Sequence, residues 1–206
     1  MEYKVSIGGV EYGMASIASV SIERPLFRKW SAGNACAAEL NITFWPCETV
    51  PRMAQIIPSC RETPDGEWTC LGTFYTDERA KETLGRQTLI AYDSMLKAEA
   101  VWKPDQSLEF PLKMTDAVTE IAALMGVSVD ERTVVNDVYT IDYPANEYTL
   151  RDVLQFIGAA NLGNWIITRQ NKLLLVPLFG SVPEETNYLI DESGRTITIG
   201  GVRILV

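Results

Sequence analysis

The sequence predicts a mainly β chain with a small two-helix α+β unit set into it, and three observations carry that reading. Through most of the first 112 residues, short apolar runs alternate with period two between turn signals. Between residues 113 and 180 the period changes to 3.6 in two separate stretches. After residue 195 the alternation returns in "RTITIGGVRILV".

The elements follow in order. Tyr3-Lys4-Val5-Ser6-Ile7 alternates, Gly8-Gly9 supplies a turn and Val10 resumes, which predicts a hairpin. Ile17 to Ile22 predicts a strand that ends near Pro25. "CAAELNITFW" has the cleanest alternation, with Ala38, Leu40, Ile42 and Phe44 on one face. Met53–Cys60 and Glu67–Phe74 read as strands about the turn "TPDG", and Gln87–Tyr92 as another. Several short strands of this kind suggest a barrel or a sandwich.

In "MTDAVTEIAALMGV", Val118, Ile121, Ala122 and Met125 form a helical stripe, with Thr115 expected as cap and Gly126 as stop. "YTLRDVLQFIGAANLG" repeats the device. Thr149 is the cap, Leu150, Val153, Leu154 and Ile157 the stripe, and Gly163 the end; Arg151 lies off the stripe and reads as surface. "VYTIDYP" between the helices reads as a strand. Trp165–Val176 reads as a hairpin about Gln170-Asn171, where Asn tolerates a left-handed backbone. "GSVPEETN" reads as a linker and Asp191–Gly194 as a turn.

Composition narrows the function. The 206 residues fit one large domain or two small ones and suffice for a core without metal or disulfide staples. There is no histidine, which removes Ser-His-Asp and Cys-His nucleophiles and the His-bearing zinc sites. A net charge of −9 argues against a surface that tracks phosphates. Cys36, Cys47, Cys60 and Cys70 form no C-x-x-C pair and read as reduced thiols rather than a zinc knuckle. The N-terminus lacks the pattern of a secretory signal, and no run approaches a membrane span, so the expectation is a soluble chain made in a cytoplasm.

Asp93, in "LIAYDSMLKAEAVW", is the most tempting acid. It stands where a strand-like run turns into a helix-like one, and Asp is among the best N-caps, so it reads as structural. Asp77–Glu82, "DERAKE", reads as a solvated charged loop rather than a carboxylate pair. Asp130, Glu131 and Asp137 lack the ligand spacing of a calcium loop. No G-x-G-x-x-G or G-x-x-x-x-G-K is present. The five tryptophans are spread along the chain, which suits core and contact roles. No residue is assigned as catalytic, cofactor-binding or metal-ligating, and no cofactor is expected.

The order "SAGNACAAELNITFWP", "VPRMAQIIPSCR", "DGEWTCLGTFYTDERAKETLGRQTLIAYDSMLKAE" and "YTLRDVLQFIGAANLGNWIITRQNKLLLVPL" resembles tail-tip hub proteins of phages and prophages. These are the baseplate hub of contractile tails and the N-terminal part of the siphophage tail-associated protein. The resemblance implies a β-barrel domain interrupted by a small two-helix α+β domain. It divides the chain into a barrel hub domain (1–112), an α+β insertion (113–180), and a linker with strands returning to the barrel or starting a second one (181–206). It further implies a non-enzymatic structural component of the virion tail tip, assembled in the bacterial cytoplasm. The implied partners are itself, as a homotrimer whose barrels form a ring, and tail tube and distal tail proteins, with no membrane insertion and no specific nucleic-acid binding. Family members usually run on past this length, so part of the ring is expected to be missing. The alternatives are a fragment of a tail-associated cell-wall hydrolase using carboxylates, and a receptor-binding module of the same particle.

Overall fold

β1 (Glu2–Ile7) and β2 (Val10–Gly13) form the expected hairpin, with Gly8 and Gly9 at φ 58° and 89°. Both turn positions need a left-handed backbone, which glycine adopts at no steric cost. The structure, a computed structural model, describes residues 1–27, 31–46, 49–81, 85–144 and 147–179, and the strand backbone at 198–199 and 202–203. β3 (Ile17–Glu23), β4 (Glu39–Phe44), β5 (Gln55–Arg61), β6 (Thr69–Cys70), β7 (Phe74–Lys81) and β8 (Gln87–Asp93) complete the first sheet.

The strand order is β2-β1-β5-β7-β8-β4-β3, with β6 on β5, and every neighbour along this path is antiparallel. Six antiparallel steps leave β2 and β3 running in the same direction. They are joined only by the 3₁₀ turn Met14–Ser16. A flat sheet would hold its two edge strands about 29 Å apart, and the link from Gly13 to Ile17 reaches at most about 15 Å. The sheet therefore curls until β2 and β3 become one kinked strand shared by both edges. The result is a nearly closed barrel. Beside this seam the Tyr12 ring meets Phe44 edge-on at 5.0 Å.

The alternation in β4 places Leu40, Ile42 and Phe44 fully inside, with Val5, Ile7, Ile56, Phe74 and Leu89. Two strand expectations need correction. Glu67–Phe74 is not one strand: Gly72, at φ 131°, separates β6 from β7. Residues 77–81 are not a loop but lie in β7, paired along β8, while Glu82 falls outside the described residues. A β-bulge between Thr76 and Glu78 interrupts the alternation there. The ladder to β8, whose own alternation is regular, holds a strand that its charges conceal.

The second core is built on α1 (Met114–Met125) and α2 (Leu150–Ala160). Each expected stripe is buried: Val118, Ile121, Ala122 and Met125, then Leu150, Val153, Leu154 and Ile157. The two helices start differently. Thr149 and Asp152 make a reciprocal capping box. Thr115 is not a cap. Lys113 takes the cap position without a side-chain bond, because β9 (Leu112–Lys113) pairs with β11 (Thr140–Ile141) and the Met114 N–H donates to the Tyr139 carbonyl at 3.0 Å. The sheet supplies the acceptor that a cap would have provided. Gly126, at φ 71°, ends α1 as expected. α2 stops at Ala160, and Gly163 opens the next strand instead.

β12 (Gly163–Ile167) and β13 (Lys172–Pro177) form the hairpin, with Asn171 at φ 59°, and β10 (Ser128–Val129) joins β13 in parallel. β14 (Thr198–Ile199) and β15 (Val202–Arg203) pair with each other. The expected linker, the turn at 191–194 and the return to the barrel lie outside the described residues. Mainly β with a small two-helix α+β part, barrel-like in its larger sheet, is the fold observed.

Candidate functional site

The chain passes between the two cores at two crossings that lie side by side. The first is a strap, residues 33–38, between β3 and β4. The Gly33 N–H donates to the Gly163 carbonyl at 2.9 Å, Trp165 N–H to Asn34 at 2.7 Å, and Cys36 N–H to Trp165 at 3.2 Å. Ala35 thus belongs to the helical core and Ala38 to the barrel. The second crossing runs from Ala91 of β8, in the barrel, through Asp93 to Met95, Ala98 and Trp102, in the helical core.

Asp93 ties these crossings together. One carboxylate oxygen accepts the Ala38 N–H at 2.8 Å, and the other accepts the Met95 N–H at 2.9 Å. It caps the 3₁₀ segment Ser94–Glu99, as its position in the sequence suggested. The residue is 2% exposed. Burial pushes its carboxyl up to about 6, against the opposing pull of the two N–H donors and of Arg24 and Arg151. A raised carboxyl in a cleft would suggest an acid catalyst, but this one is enclosed, with each oxygen committed to a backbone donor.

Arg151 corrects the surface reading. Its Nη1 donates to the Ala35 carbonyl at 2.6 Å and its Nη2 to the Met95 carbonyl at 3.0 Å, one on each crossing, while Nε faces Glu99 at 2.8 Å. Nothing in a helical-stripe pattern marks an off-stripe arginine as a clamp. Arg24 works at the barrel end, donating to the Leu71 carbonyl and lying 5.7 Å from the centre of the Phe74 ring. The Ser94 hydroxyl and the Asn171 side-chain oxygen, 2.6 Å apart, fasten the 3₁₀ segment to the β12–β13 turn.

The remaining acids are scattered. Asp77 pairs with Arg52 at 3.0 Å. Asp130 is held in a fork by Arg132 at 2.8 Å from both Nε and Nη2, which with burial working against it leaves its carboxyl below the usual range. Among the described residues no three of His, Cys, Asp or Glu converge in a way that could hold a metal. Cys60 and Cys70 are free, and their register on the β5–β6 ladder (Cys60 opposite Thr69, Ser59 opposite Cys70) points them to opposite faces. Cys36 is buried, and Cys47 lies outside the described residues.

Trp102 and Trp165 are core residues whose indoles donate to Glu120 at 3.0 Å and to the Leu154 carbonyl at 2.6 Å. Trp68 is half-exposed, but Lys4 and Arg61 sit 4.9 and 4.7 Å from its ring centre. Trp45 is exposed at the barrel surface, and Trp30 falls outside the described residues. A groove of about 300 Å³ between α1 and the 129–135 segment is lined by Thr115, Val118, Thr119, Val129, Val134 and Val135, with no titratable group in its wall.

The surface feature that stands out is the outer face of α2. Its exposed positions are Phe156, Ala159 and Ala160, all uncharged in a chain of net charge −9. Asp152 is used in the cap and Arg151 is turned inward. Tyr148 meets Phe156 edge-on at 5.2 Å, both rings exposed, and Leu162 continues the apolar surface beyond the helix. Among the described residues no helix is long and apolar enough to cross a membrane.

No family model and no curated protein matches the sequence. Its fold does match solved structures. One is a 43 kDa tail protein of prophage MuSo2 from Shewanella oneidensis, with TM-score 0.62 at 12% identity over 96% of this chain and 61% of that one. A tail protein from Neisseria meningitidis MC58 gives 0.57 at 13% identity, covering 96% of this chain and 54% of that one. The prophage tail protein gp18 from Listeria monocytogenes EGD-e gives 0.50 at 8% identity, covering 93% and 55%. The chain thus spans between about half and three-fifths of the length of these proteins and shares their fold.

Proposed function

We propose that this chain is a structural, non-enzymatic component of a phage or prophage tail, placed at the tail tip as a baseplate hub subunit. The observation that carries the reading is the fold itself: barrel and helical part together follow tail proteins over 96% of the chain. The sequence resemblance to hub proteins points the same way. In this reading the chain assembles with itself as a trimer whose barrels form a ring between the tail tube and the tip. The uncharged outer face of α2, where Phe156 and Tyr148 are exposed together, suits contact with a neighbouring subunit. The absence of histidine and the enclosure of Asp93 fit a scaffold role.

Light scattering across a concentration series, together with binding to purified tail-tube protein of the same particle, tests the proposal. Self-association into trimers and capture of the tube protein are the expected results. A chain that stays monomeric at high concentration and leaves the tube protein unbound would sink the hub reading.

A further inference from the structure

We propose that the sheet segment β7-β8-β4-β3 joins edge to edge with the same segment of a second copy, β3 of one copy lying beside β7 of the next. Both edges stand open because the strand that should cover each stops short. The β1–β2 register, with Lys4 opposite Gly13, brings Met1 beside Ser16, so β1 ends before β3 begins. Among the described residues, Ile17–Glu23 have β4 on one side and no strand on the other. β5 meets β7 only at Phe74 and Tyr75, with Met53 and Ala54 bonding Thr76 beyond them. A turn closed by the Ala54 N–H on the Pro51 carbonyl at 3.3 Å ends that contact. Residues 78–81 run on, paired to β8 alone among the described residues.

Burial shows what the open edge of β3 lacks. The inward residues of β4, Leu40, Ile42 and Phe44, are fully buried, whereas their partners on β3, Ile22, Val20 and Ile17, are only half-buried. A strand laid along β3 would cover them. The edge is also undefended. Ile17–Glu23 contains no lysine and no proline, the usual means of keeping strand edges apart, and its single charge is Glu23 at the end. The one bulge, between Ile17 and Ser19, lies at the start and leaves residues 19–23 in regular register.

The occupant that fits is a second copy. Three antiparallel steps separate β7 from β3, so the two strands run in opposite directions. The open stretch of β7 is level with the start of β3, since Lys81 lies opposite Gln87, Gln87 opposite Phe44 and Phe44 opposite Ile17. The β7 of a second copy, set beside β3, therefore continues the antiparallel alternation without a break. Charge permits the contact. In a chain of net −9, residues 17–22 carry no charge, and Asp77, Glu78, Arg79 and Lys81 cancel, so two copies meet here with least repulsion. Because the two edges differ, the contact is heterologous, and its repetition closes a ring or runs on as a helix. This inference rests on the self-assembly proposed above and names the surface that makes it.

Amide hydrogen exchange on the whole chain tests it, across a concentration series in which light scattering reports association. The outward-facing amides of residues 17–23 and 78–81 are expected to exchange about tenfold more slowly at about ten times the dissociation constant, while amides inside the β4–β8 ladder keep their rates. Val20→Lys sets a charge on the inward side of the open edge and should abolish association. Should that variant fail to fold, exchange in the unaltered protein decides the matter. Association that leaves both edges at their monomer rates overturns the edge contact while the hub reading stands. Protection of residues 17–23 without residues 78–81 means that β3 pairs with another β3, and overturns it too. A chain that does not associate at any concentration removes both.

Discussion

Arg151 shows how one side chain can matter more than its place in a helical pattern suggests. Its guanidinium satisfies two buried-side carbonyls, Ala35 and Met95, that come from separate crossings. Removing it leaves both without that donor, and hydrogen bonds to a charged group are each worth about 1.5–3 kcal/mol. Arg151→Ala should therefore lower stability by about 2–4 kcal/mol in urea melts, and a loss below about 0.5 kcal/mol would return it to the surface class. Asp130 carries a pH signature of the opposite sign to that of Asp93. Its forked bond to Arg132 lowers its carboxyl, so the folded state binds fewer protons than the unfolded one. The stabilisation is present above the ordinary aspartate value and is lost as pH falls through the lowered one. The stability gap between the unaltered protein and Asp130→Asn should thus be widest near neutral pH and narrow below about pH 4. A gap that widened on acidification would contradict the assignment.

Among the elements, α2 offers the sharpest contrasts because nearly every residue has a defined task. Leu154 is fully buried in the centre of the helical core. Leu154→Ala should cost about 2–5 kcal/mol through lost burial and the cavity left behind. Thr149→Ala removes one half of the capping box and should cost about 1 kcal/mol. Equal effects of the two in urea melts would mean that the cap contributes as much as packing, against the burial observed. The strap depends on its own geometry. A Cβ on Gly33 would lie 2.8 Å from the Gln155 carbonyl oxygen and 2.9 Å from the Ala159 Cβ, at φ +84°. Both the backbone conformation and the close approach to α2 require glycine there. α2 itself is legible in the sequence from its stripe and its cap. The strap is not, because "SAGNACAA" has no periodicity and owes its path to bonds with β12.

For the whole molecule, the question is whether the two cores melt as one. Met95, Ala98 and Trp102 follow directly on β8 yet are buried among α1 and α2, so the barrel's last strand runs straight into the helical core. At the end of β8 the Asp93 carboxylate accepts the Met95 N–H and adds a polar tie at the same boundary. Calorimetry should accordingly give one unfolding peak, and Leu154→Ala should move that peak as a whole. Two peaks, with only one moved by the variant, would mean independent cores. What the sequence determined by itself is local. Period-two and period-3.6 patterns follow from side-chain direction along strand and helix, so β4, β8, both stripes, the Gly8-Gly9 turn and the Asp93 cap are written in the order of the residues alone. Three things were decided only by the tertiary structure. Closure of the barrel depends on β2 and β3 meeting as one strand, the charged half of β7 exists because β8 templates it, and Arg151 clamps two segments distant in sequence. In each case the deciding partner lies far along the chain, and a local pattern carries no information about a contact made only when remote backbone groups must find acceptors and donors on burial.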